Sequence, residues 1–265
     1  MQIHINVNIT VEFLPAQRYN GHITLGKDAP MQHSVQKHHT TPRLELLCRC
    51  AASAQTAADI GCDHAYLSIL LISSGTCLRV IASDIATGPV DKARGNILRF
   101  GMNTQIELRR GDGLSTLAPA EADTIIIAGM GGRVIADILG AHPNIAKTAK
   151  LILQPMTYAS HLRRYLYENG YTVEAEDLVK EDRRIYSVIT ATAGGAAPFC
   201  EVDTYISPAV LENRSPLLAE FVLRRLSEMQ KIAAGMKRGD VPEAETAYHQ
   251  RLTDDMQKIY DNIKI

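Results

Sequence analysis

Apolar residues along 42–192 occur either in short runs or at helical spacing, and the two patterns alternate. Short apolar runs predict buried strands, and steps of three and four residues predict packed helices. The expected strands are 56–60, 79–83, 105–110, 123–128 and 150–154. The expected helices are 43–54, 64–73, 88–100, 132–140 and 159–168, most of which end at a glycine. This order predicts a doubly wound α/β fold with a mostly parallel sheet.

Two further β-rich runs, 171–179 and 184–192, flank four charged residues and predict a hairpin that brings the sheet to seven strands. Before this region, residues 2–13 alternate between polar and apolar side chains, which predicts another strand. The stretch from there to about residue 41 is rich in Gly, Pro, Gln and His and is interpreted as a linker. Residues 1–41 are therefore expected to be an N-terminal extension that need not belong to the fold, and 42–195 to be the α/β domain.

The C-terminal part, 196–265, contains two segments with helical spacing of apolar residues. The first carries Leu218, Val222, Leu226, Met229, Ala233 and Met236, and the second carries Tyr248, Leu252, Met256, Ile259 and Ile263. Helices of this kind are unstable alone, so we expect the two to pack as an antiparallel hairpin. A simple packing element or a dimer contact is the alternative role for this hairpin.

Composition limits the functional classes. The chain has 265 residues, of which 46% are hydrophobic and 22% charged, as is ordinary for a globular protein. No apolar run reaches the roughly 18 residues of a membrane span, and the N-terminus lacks the apolar core of a signal peptide. We therefore expect a cytoplasmic protein without a membrane partner. The net charge of −1 argues against a uniformly basic nucleic-acid binder, so RNA would have to meet a local basic patch.

Neither a metal site nor a disulfide is expected. The five cysteines are scattered and show no C-x-x-C spacing, which predicts reduced thiols. His33, His38 and His39 cluster in the linker and offer a possible metal site, but solvated loop histidines explain them better. No obligate protein partner is evident from the sequence either.

Residues that carry chemistry follow the first predicted strand. Gly61 lies where a strand turns into a helix, which is the position at which open α/β sheets bind ligands. Glycine lets the backbone approach a ligand closely, and Asp59 can accept hydrogen bonds from a ligand amine. Asp63 and His64 are expected to face the same crevice, although Asp63 could instead only cap the helix. Cys62 lies in this turn and is interpreted as a small filler rather than a nucleophile.

Acidic residues also end the next two strands. Asp84, followed by Ile85, is placed to accept the two ribose hydroxyls of a bound nucleoside. Asp112, followed by Gly113, suits an acceptor for an adenine amino group. Each of these acids alone could be a turn or cap residue. Together with Asp59 they occupy three successive strand ends, which favours nucleoside binding, whereas the absence of G-x-G-x-x-G argues against a dinucleotide.

The fourth and fifth strands end in distinctive segments. The fourth continues as Ala128-Gly129-Met130-Gly131-Gly132, in which bare backbone could underlie a flat ring and Met130 offers a soft apolar contact. A flexible turn is the alternative interpretation of this segment. In the fifth, Gln154 could hydrogen-bond a base edge, and Pro155 stiffens the strand exit.

In combination these motifs resemble the bacterial tRNA adenine-22 N1-methyltransferase family of class I S-adenosylmethionine-dependent methyltransferases. The resemblance spans roughly Pro42 to the C-terminus and rests on four segments: 59–67, 111–114, 127–132 and 151–155. It implies a Rossmann-like methyltransferase domain over 42–195 and a helical coiled-coil extension over 196–265. The chain departs from the family at Cys62, where the family usually has serine, and at Met156, where the family usually has asparagine and a polar group near the base pocket is therefore missing.

The resemblance implies an enzyme that transfers a methyl group from S-adenosylmethionine to N1 of an adenine in tRNA. The expected cofactor-binding residues are Asp59, Gly61, Cys62, Asp84, Ile85, Asp112, Gly113, Ala128, Gly129 and Met130. N1-methylation leaves a cationic ring, so a carboxylate close to it would stabilise the developing charge. Asp63 is the catalytic candidate for this role, with His64 and Tyr66 holding the base or the acid in place.

The expected tRNA contacts are Gln154, Pro155, Arg109, Arg163 and Arg164, of which the arginines could meet phosphates. A solvated helix face explains the arginines nearly as well. Two other functions stay open from the sequence alone. One is a non-catalytic RNA-binding protein that keeps the cofactor fold, and the other is a methyltransferase for a different acceptor.

Overall fold

A computed structural model of the chain describes residues 40–195, 198–236 and 242–263. The strand predicted over 2–13 lies outside the described residues, as do His33, His38 and His39. Near the start of the described part, the hydroxyl of Thr41 accepts a hydrogen bond from the backbone N–H of Leu44 and so caps the first helix.

Seven strands form one sheet in the described chain. They are β1 (Thr56–Ile60), β2 (Arg79–Asp84), β3 (Ile106–Arg110), β4 (Thr124–Gly131), β5 (Lys150–Thr157), β6 (Tyr171–Glu181) and β7 (Arg184–Ala193). Their order is β3-β2-β1-β4-β5-β7-β6, with β1 to β5 parallel and β7 antiparallel to both β5 and β6. This confirms the predicted doubly wound, mostly parallel, seven-stranded sheet.

Helices cover both faces of the sheet. α1 (Pro42–Cys50), α2 (Tyr66–Ser73) and α3 (Thr87–Arg99) pack on one face, and α4 (Gly132–Ala141), α5 (Pro143–Ala146) and α6 (Ala159–Glu168) pack on the other. Because both faces are covered, the central strands are apolar on both sides. In β4, for example, Ile126 belongs to the core cluster on one face, whereas Ile125 and Ile127 belong to the cluster on the other.

Some predicted boundaries differ from the structure. The first helix was expected to reach residue 54 but ends at Cys50, because Ser53 adopts a left-handed conformation that a continuing helix excludes. β4 and β5 run past their expected ends at 128 and 154. They do so because Met130 pairs with Pro155 and Gly131 with Thr157, beyond an irregularity in the register at Gly129. This extra pairing holds the glycine-rich segment against the end of β5.

After the sheet come a 3-10 turn over Glu201–Thr204 and the helices α7 (Pro208–Glu212), α8 (Leu218–Met236) and α9 (Glu243–Ile263). α8 and α9 pack on each other around a third apolar cluster, to which β7 contributes Ile185. His249 Nδ1 lies 3.4 Å from Met229 Sδ, so the start of α9 lies beside the end of α8 as in an antiparallel pair. The predicted C-terminal helical hairpin is confirmed. None of the helices that the structure describes combines the length and the apolar character needed to cross a membrane.

Candidate active site

The carboxyl ends of β1 and β4 lie side by side where the strand order reverses, because β2 follows on one side of β1 and β4 lies on the other. A cleft of about 230 Å³ opens there. It is lined by Arg43, Leu44, Leu47, Asp59, Gly61, Cys62, Asp63, His64, Tyr66, Leu67, Ala128, Gly129 and Gln154. Most of these are site residues predicted from the sequence, brought together from the ends of β1, β4 and β5.

The turn after β1 needs glycine. Gly61 has a positive φ of 73°, and its N–H and that of Cys62 both donate to the carbonyl of Ser83, at 2.8 and 2.9 Å. A Cβ at Gly61 would collide with the terminal methyl of Met130. Because this methyl ends a flexible side chain that can move aside, the positive φ is what makes glycine the suitable residue at this turn.

Asp59 is a buried carboxylate beside the cleft, and its side chain is 4% exposed. Among the described residues, the side chain that hydrogen-bonds it is Ser68, whose hydroxyl donates to Asp59 Oδ2 at 2.6 Å. Burial raises the pKa of Asp59 to about 6; the hydrogen bonds from Ser68 oppose this rise and the negative charge of Asp84 adds to it. Within the described chain no Lys, Arg or His forms an ion pair with this carboxylate. The cleft therefore holds a buried acid that no cation of the described residues neutralises.

Asp84 ties the ends of β1 and β2 together. Its Oδ2 accepts from the N–H of Asp63 at 3.1 Å, and its Oδ1 accepts from the N–H of Ala86 at 3.0 Å. Each carboxylate oxygen has a second lone pair, so the group can still accept bonds from a ligand.

Asp63 does not cap α2. The N-cap residue is Ala65, which makes no side-chain capping bond, and the Asp63 side chain is 69% exposed. Its Oδ1 lies 3.5 Å from His64 Nε2, and the His64 ring meets the ring of Tyr66 edge to face at 5.8 Å between centroids. Asp63 is thus not the N-cap of α2, and the three catalytic candidates Asp63, His64 and Tyr66 lie together in the lining of the cleft, where their catalytic role stays a prediction.

The structure agrees with the filler interpretation of Cys62 and changes the role predicted for Gln154. Cys62 is buried, and this burial raises the pKa of its thiol far above the usual range, which suits the filler interpretation. Gln154 is buried as well, and its amide is already engaged: Oε1 accepts from the N–H of Gly129 at 3.2 Å, and Nε2 donates to the carbonyl of Pro155 at 3.1 Å. Gln154 therefore holds the glycine-rich segment in place rather than presenting an unoccupied amide to a base.

Arg43 is a site residue that sequence reasoning missed. Its Nη1 donates to Met156 Sδ at 3.0 Å and lies 3.4 Å from Gln154 Oε1, and its guanidinium carbon lies 5.1 Å from the ring centroid of Tyr186. These contacts hold the start of α1 beside the end of β5. They also place a cation next to Met156, where the expected polar group of the family is missing. Arg43 is separated from Gln154 by 111 residues, so nothing in the local sequence indicates the contact.

The remaining predicted cofactor residues lie at the same edge of the sheet without lining the cleft. Ile85 and Asp112 are exposed at the ends of β2 and β3, and Arg110 Nε donates to the carbonyl of Ile85 at 3.3 Å. Gly113 has a positive φ, and Met130 is half-buried over Gly61. Their contacts with a cofactor stay predictions.

Sequence comparison settles the family. Residues 57–261 match the model of the TrmK family, tRNA (adenine(22)-N(1))-methyltransferase. The chain belongs to this family. The resemblance carried by the four motif segments is thereby confirmed, together with the class I methyltransferase fold.

TrmK relatives match in sequence and in structure. The tRNA (adenine(22)-N(1))-methyltransferase of Bacillus subtilis is 39% identical over 153 residues, which cover 57% of this chain and 64% of that relative. The crystal structure of B. subtilis TrmK superposes with a TM-score of 0.70 at 28% identity, covering 85% of this chain and 97% of that one. Sp1610 of Streptococcus pneumoniae, solved in complex with S-adenosyl-L-methionine, gives 0.72 at 26% identity, covering 83% and 99%.

In this TrmK family member, Arg163 is not a surface residue. Its side chain is 1% exposed, and Nη2 and Nε donate to the two carboxylate oxygens of Glu176 at 2.5 and 3.0 Å. Nη1 donates to the carbonyl of Thr204 at 2.9 Å. The prediction that Arg163 meets tRNA phosphates is wrong, because the guanidinium is buried between α6, β6 and the start of the C-terminal extension.

The other two predicted arginines are also paired. Arg109 donates to both oxygens of Glu121 and to Glu107, and these bonds lower the pKa of Glu121 to about 2. Because its charge is already matched by two carboxylates, Arg109 is corrected from a phosphate contact to a residue that fixes the turn after β3. Arg164 is more exposed and pairs with Glu201, and a tRNA contact there stays a prediction. The described residues include no cluster of three or more His, Cys, Asp or Glu side chains arranged to hold a metal ion.

Proposed function

We propose that this protein transfers a methyl group from S-adenosylmethionine to N1 of an adenine in tRNA, at the position 22 named for its family. The observation that carries the proposal is the buried, unneutralised carboxylate of Asp59 at the switch point of a TrmK-family fold. A buried acid is costly unless it meets a cation, and the amine of S-adenosylmethionine is a cation of suitable size. Since the substrate is tRNA, we propose that the enzyme works in the cytoplasm, without a membrane.

The residues at the cleft fit this cofactor. Asp59 would accept from its amino group, and the free lone pairs of Asp84 would accept from the ribose hydroxyls. Bound S-adenosylmethionine supplies an electrophilic methyl group on a sulfonium. The bare backbone of Gly129, whose Cβ position has no described atom within 4 Å, leaves room for it to approach the sheet.

The chemistry at N1 demands positioning more than a strong base, because N1 already carries a lone pair. Methylation makes the ring cationic. Asp63, exposed at the mouth of the cleft and 3.5 Å from His64, would stabilise this developing charge or accept a proton from the exocyclic amine. His64 and Tyr66, which pack edge to face, would orient the acid and the base.

We also propose a division of labour along the chain, with cofactor binding in 42–195 and tRNA contacts that extend to the hairpin in 196–265. Support comes from the separate apolar cluster that α8 and α9 form, and from Arg163, which holds the start of this extension against α6. The hairpin is thus built to keep a fixed position beside the sheet.

Transfer of labelled methyl groups to bulk tRNA that lacks the modification, followed by nucleoside analysis, tests the proposed function. We expect the label in 1-methyladenosine. A protein that binds S-adenosylmethionine in calorimetry yet labels no tRNA would support the non-catalytic alternative. Label in another nucleoside would support a different acceptor.

The role of Asp63 has its own test. Asp63→Asn keeps the shape of the side chain but removes its charge, so kcat is expected to fall by about 10²-fold or more while cofactor affinity changes little. Asp182→Asn is the matched control, because Asp182 is also an exposed aspartate with a positive φ but lies at the turn between β6 and β7. Near-normal turnover of Asp63→Asn would remove this residue from the catalytic group.

A further inference from the structure

Tyr158 is exposed to an unusual degree. Its side chain is 57% exposed, and no other Tyr or Phe in the described part of the chain falls in the exposed class. Aromatic rings contribute large areas to cores and interfaces, so one left in solvent calls for an explanation. Tyr158 directly follows Thr157, whose partner across the sheet is Gly131 of the glycine-rich segment.

The backbone at Tyr158 is held in a costly conformation. Its φ is +53°, in the left-handed region that bulky residues avoid. The carbonyl of Tyr158 accepts from the N–H groups of His161 and Leu162 in the first turn of α6. The same carbonyl lies against Gly132, where any Cβ would collide with it. Packing against the start of α4 therefore fixes the direction in which the Tyr158 ring leaves the sheet.

Arg133 stacks on this ring. Its guanidinium carbon lies 4.2 Å from the ring centroid of Tyr158, and Arg133 is itself exposed. Arg109, Arg163 and Arg164 all have carboxylate partners, whereas Arg133 has none within ion-pair distance among the described residues. The pair therefore presents an aromatic face and an unneutralised positive charge together.

The pair lies at the edge of the sheet that carries the cleft. Arg133 follows the segment whose Gly129 lines the cleft, and Tyr158 follows the strand whose Gln154 lines it. We infer that Tyr158 and Arg133 form a platform on which an unpaired base of the tRNA stacks, next to the adenine that enters the cleft. The inference rests on the proposed function and specifies how the substrate is held.

Nucleic-acid chemistry explains why such a platform is useful. An adenine must leave its stack before N1 can reach the cleft, and its neighbour then loses a stacking partner. Aromatic rings and guanidinium planes are the groups on which proteins stack unpaired RNA bases, and a free guanidinium also attracts the adjacent phosphate. The Tyr158 ring would replace the lost stack, and Arg133 would contribute the charge.

The ring is tested by Tyr158→Asn. Asparagine tolerates a positive φ better than tyrosine, so this variant is expected to fold at least as stably as the wild type. If the ring stacks on RNA, Kd and KM for tRNA are expected to rise about tenfold, with the Kd for S-adenosylmethionine unchanged in calorimetry. Tyr158→Phe and Tyr158→Trp are expected to recover most of the tRNA affinity, because each keeps a ring.

The charge is tested by Arg133→Gln, with tRNA affinity measured as a function of salt concentration. Loss of one phosphate contact is expected to reduce the slope of log Kd against log salt by about one. Tyr158→Asn is expected to weaken binding while it keeps the wild-type slope. The different salt slopes of the two variants separate the contribution of stacking from that of charge. If the pair has a purely structural role, Arg133→Gln is also expected to keep the wild-type slope.

Leu78→Ala is the control for lost exposed apolar surface, since Leu78 is 70% exposed at the opposite end of the strands, just before β2. It is expected to leave tRNA affinity unchanged. Wild-type affinity for tRNA in Tyr158→Asn overturns the inference, as does an equal loss of affinity for S-adenosylmethionine. If wild type methylates tRNA and Tyr158→Asn binds it normally, only the platform fails; if wild type methylates no tRNA, the proposed function fails.

Discussion

Two buried carboxylates with opposite surroundings distinguish the cleft from the junction with the C-terminal extension. Asp59 is 4% exposed and Glu176 is 0% exposed. Glu176 accepts from Arg163 through both oxygens and from the hydroxyl of Ser207. These partners outweigh burial and lower the pKa of Glu176, whereas the hydrogen bonds from Ser68 to Asp59 do not outweigh burial, and the pKa of Asp59 rises to about 6.

The difference separates structure from function. A buried acid that the protein neutralises itself contributes to the fold, and removing its partner leaves an uncompensated charge. A buried acid left without a cation lowers stability, and it persists where a ligand supplies the missing charge. Glu176 belongs to the first kind, and we interpret Asp59 as the second.

The largest effect is expected at the junction. Arg163→Met leaves Glu176 buried without its cation, so the free energy of unfolding is expected to fall by about 3–5 kcal/mol. Urea denaturation at pH 7 measures it. Adding Glu176→Gln to this variant should recover much of the loss. A fall as small as that of an exposed ion pair would show that water reaches Glu176.

At the cleft the pKa shift has the opposite sign, because the pKa of Asp59 is raised whereas that of Glu176 is lowered. The pKa of Asp59 is raised from 3.8 to about 6, so the stabilisation by the proton on Asp59 is fully present only well below pH 3.8 and is lost as pH rises through 6. Without cofactor, the stability of Asp59→Asn relative to wild type is therefore expected to increase by about 2.5 kcal/mol between pH 4 and pH 7.5. Urea denaturation across this range measures it. A difference that does not change with pH would contradict the raised pKa.

The hydrogen bond to Asp59 gives a smaller effect. Ser68→Ala removes the donor that favours the charged carboxylate, so the pKa of Asp59 is expected to rise further and stability at pH 8 to fall by about 1.5–2 kcal/mol. In the Asp59→Asn background the same change should cost less, because no charge remains. Equal costs in both backgrounds would assign the effect to packing alone.

The smallest effect on the free energy of unfolding is expected at Arg164, which follows Arg163 in α6. Arg164 is 36% exposed and pairs with Glu201 at the surface. Arg164→Met is expected to reduce the free energy of unfolding by less than about 1 kcal/mol, since solvent screens exposed ion pairs. Comparison with Arg163→Met in one urea series isolates the effect of burial. Similar losses of stability for the two variants would contradict the distinction between the buried and the exposed ion pair.

Much of the sheet could be predicted because its strands are buried on both faces and read as continuous apolar runs. The predicted ends of β1 and α6 agree with the structure, at 56–60 and 159–168. The ends of β4 and β5 were placed too early, because pairing between Met130 and Pro155 extends both strands through residues without a strand pattern. Backbone pairing between distant segments leaves no trace in local periodicity.

The sequence by itself determined the order of elements, the positions of the acids at the strand ends, and, through motifs such as 59–67, the family. These depend on residues that are neighbours in the chain, and parallel strands bring their carboxyl ends to one edge whatever the details of packing. The tertiary structure alone decided that Arg43 reaches the cleft, that Arg163 is buried and that Tyr158 is exposed. Burial and charge pairing depend on contacts across more than 100 residues or between separate elements, and the same arginine is a phosphate ligand or a core ion pair according to what packs against it.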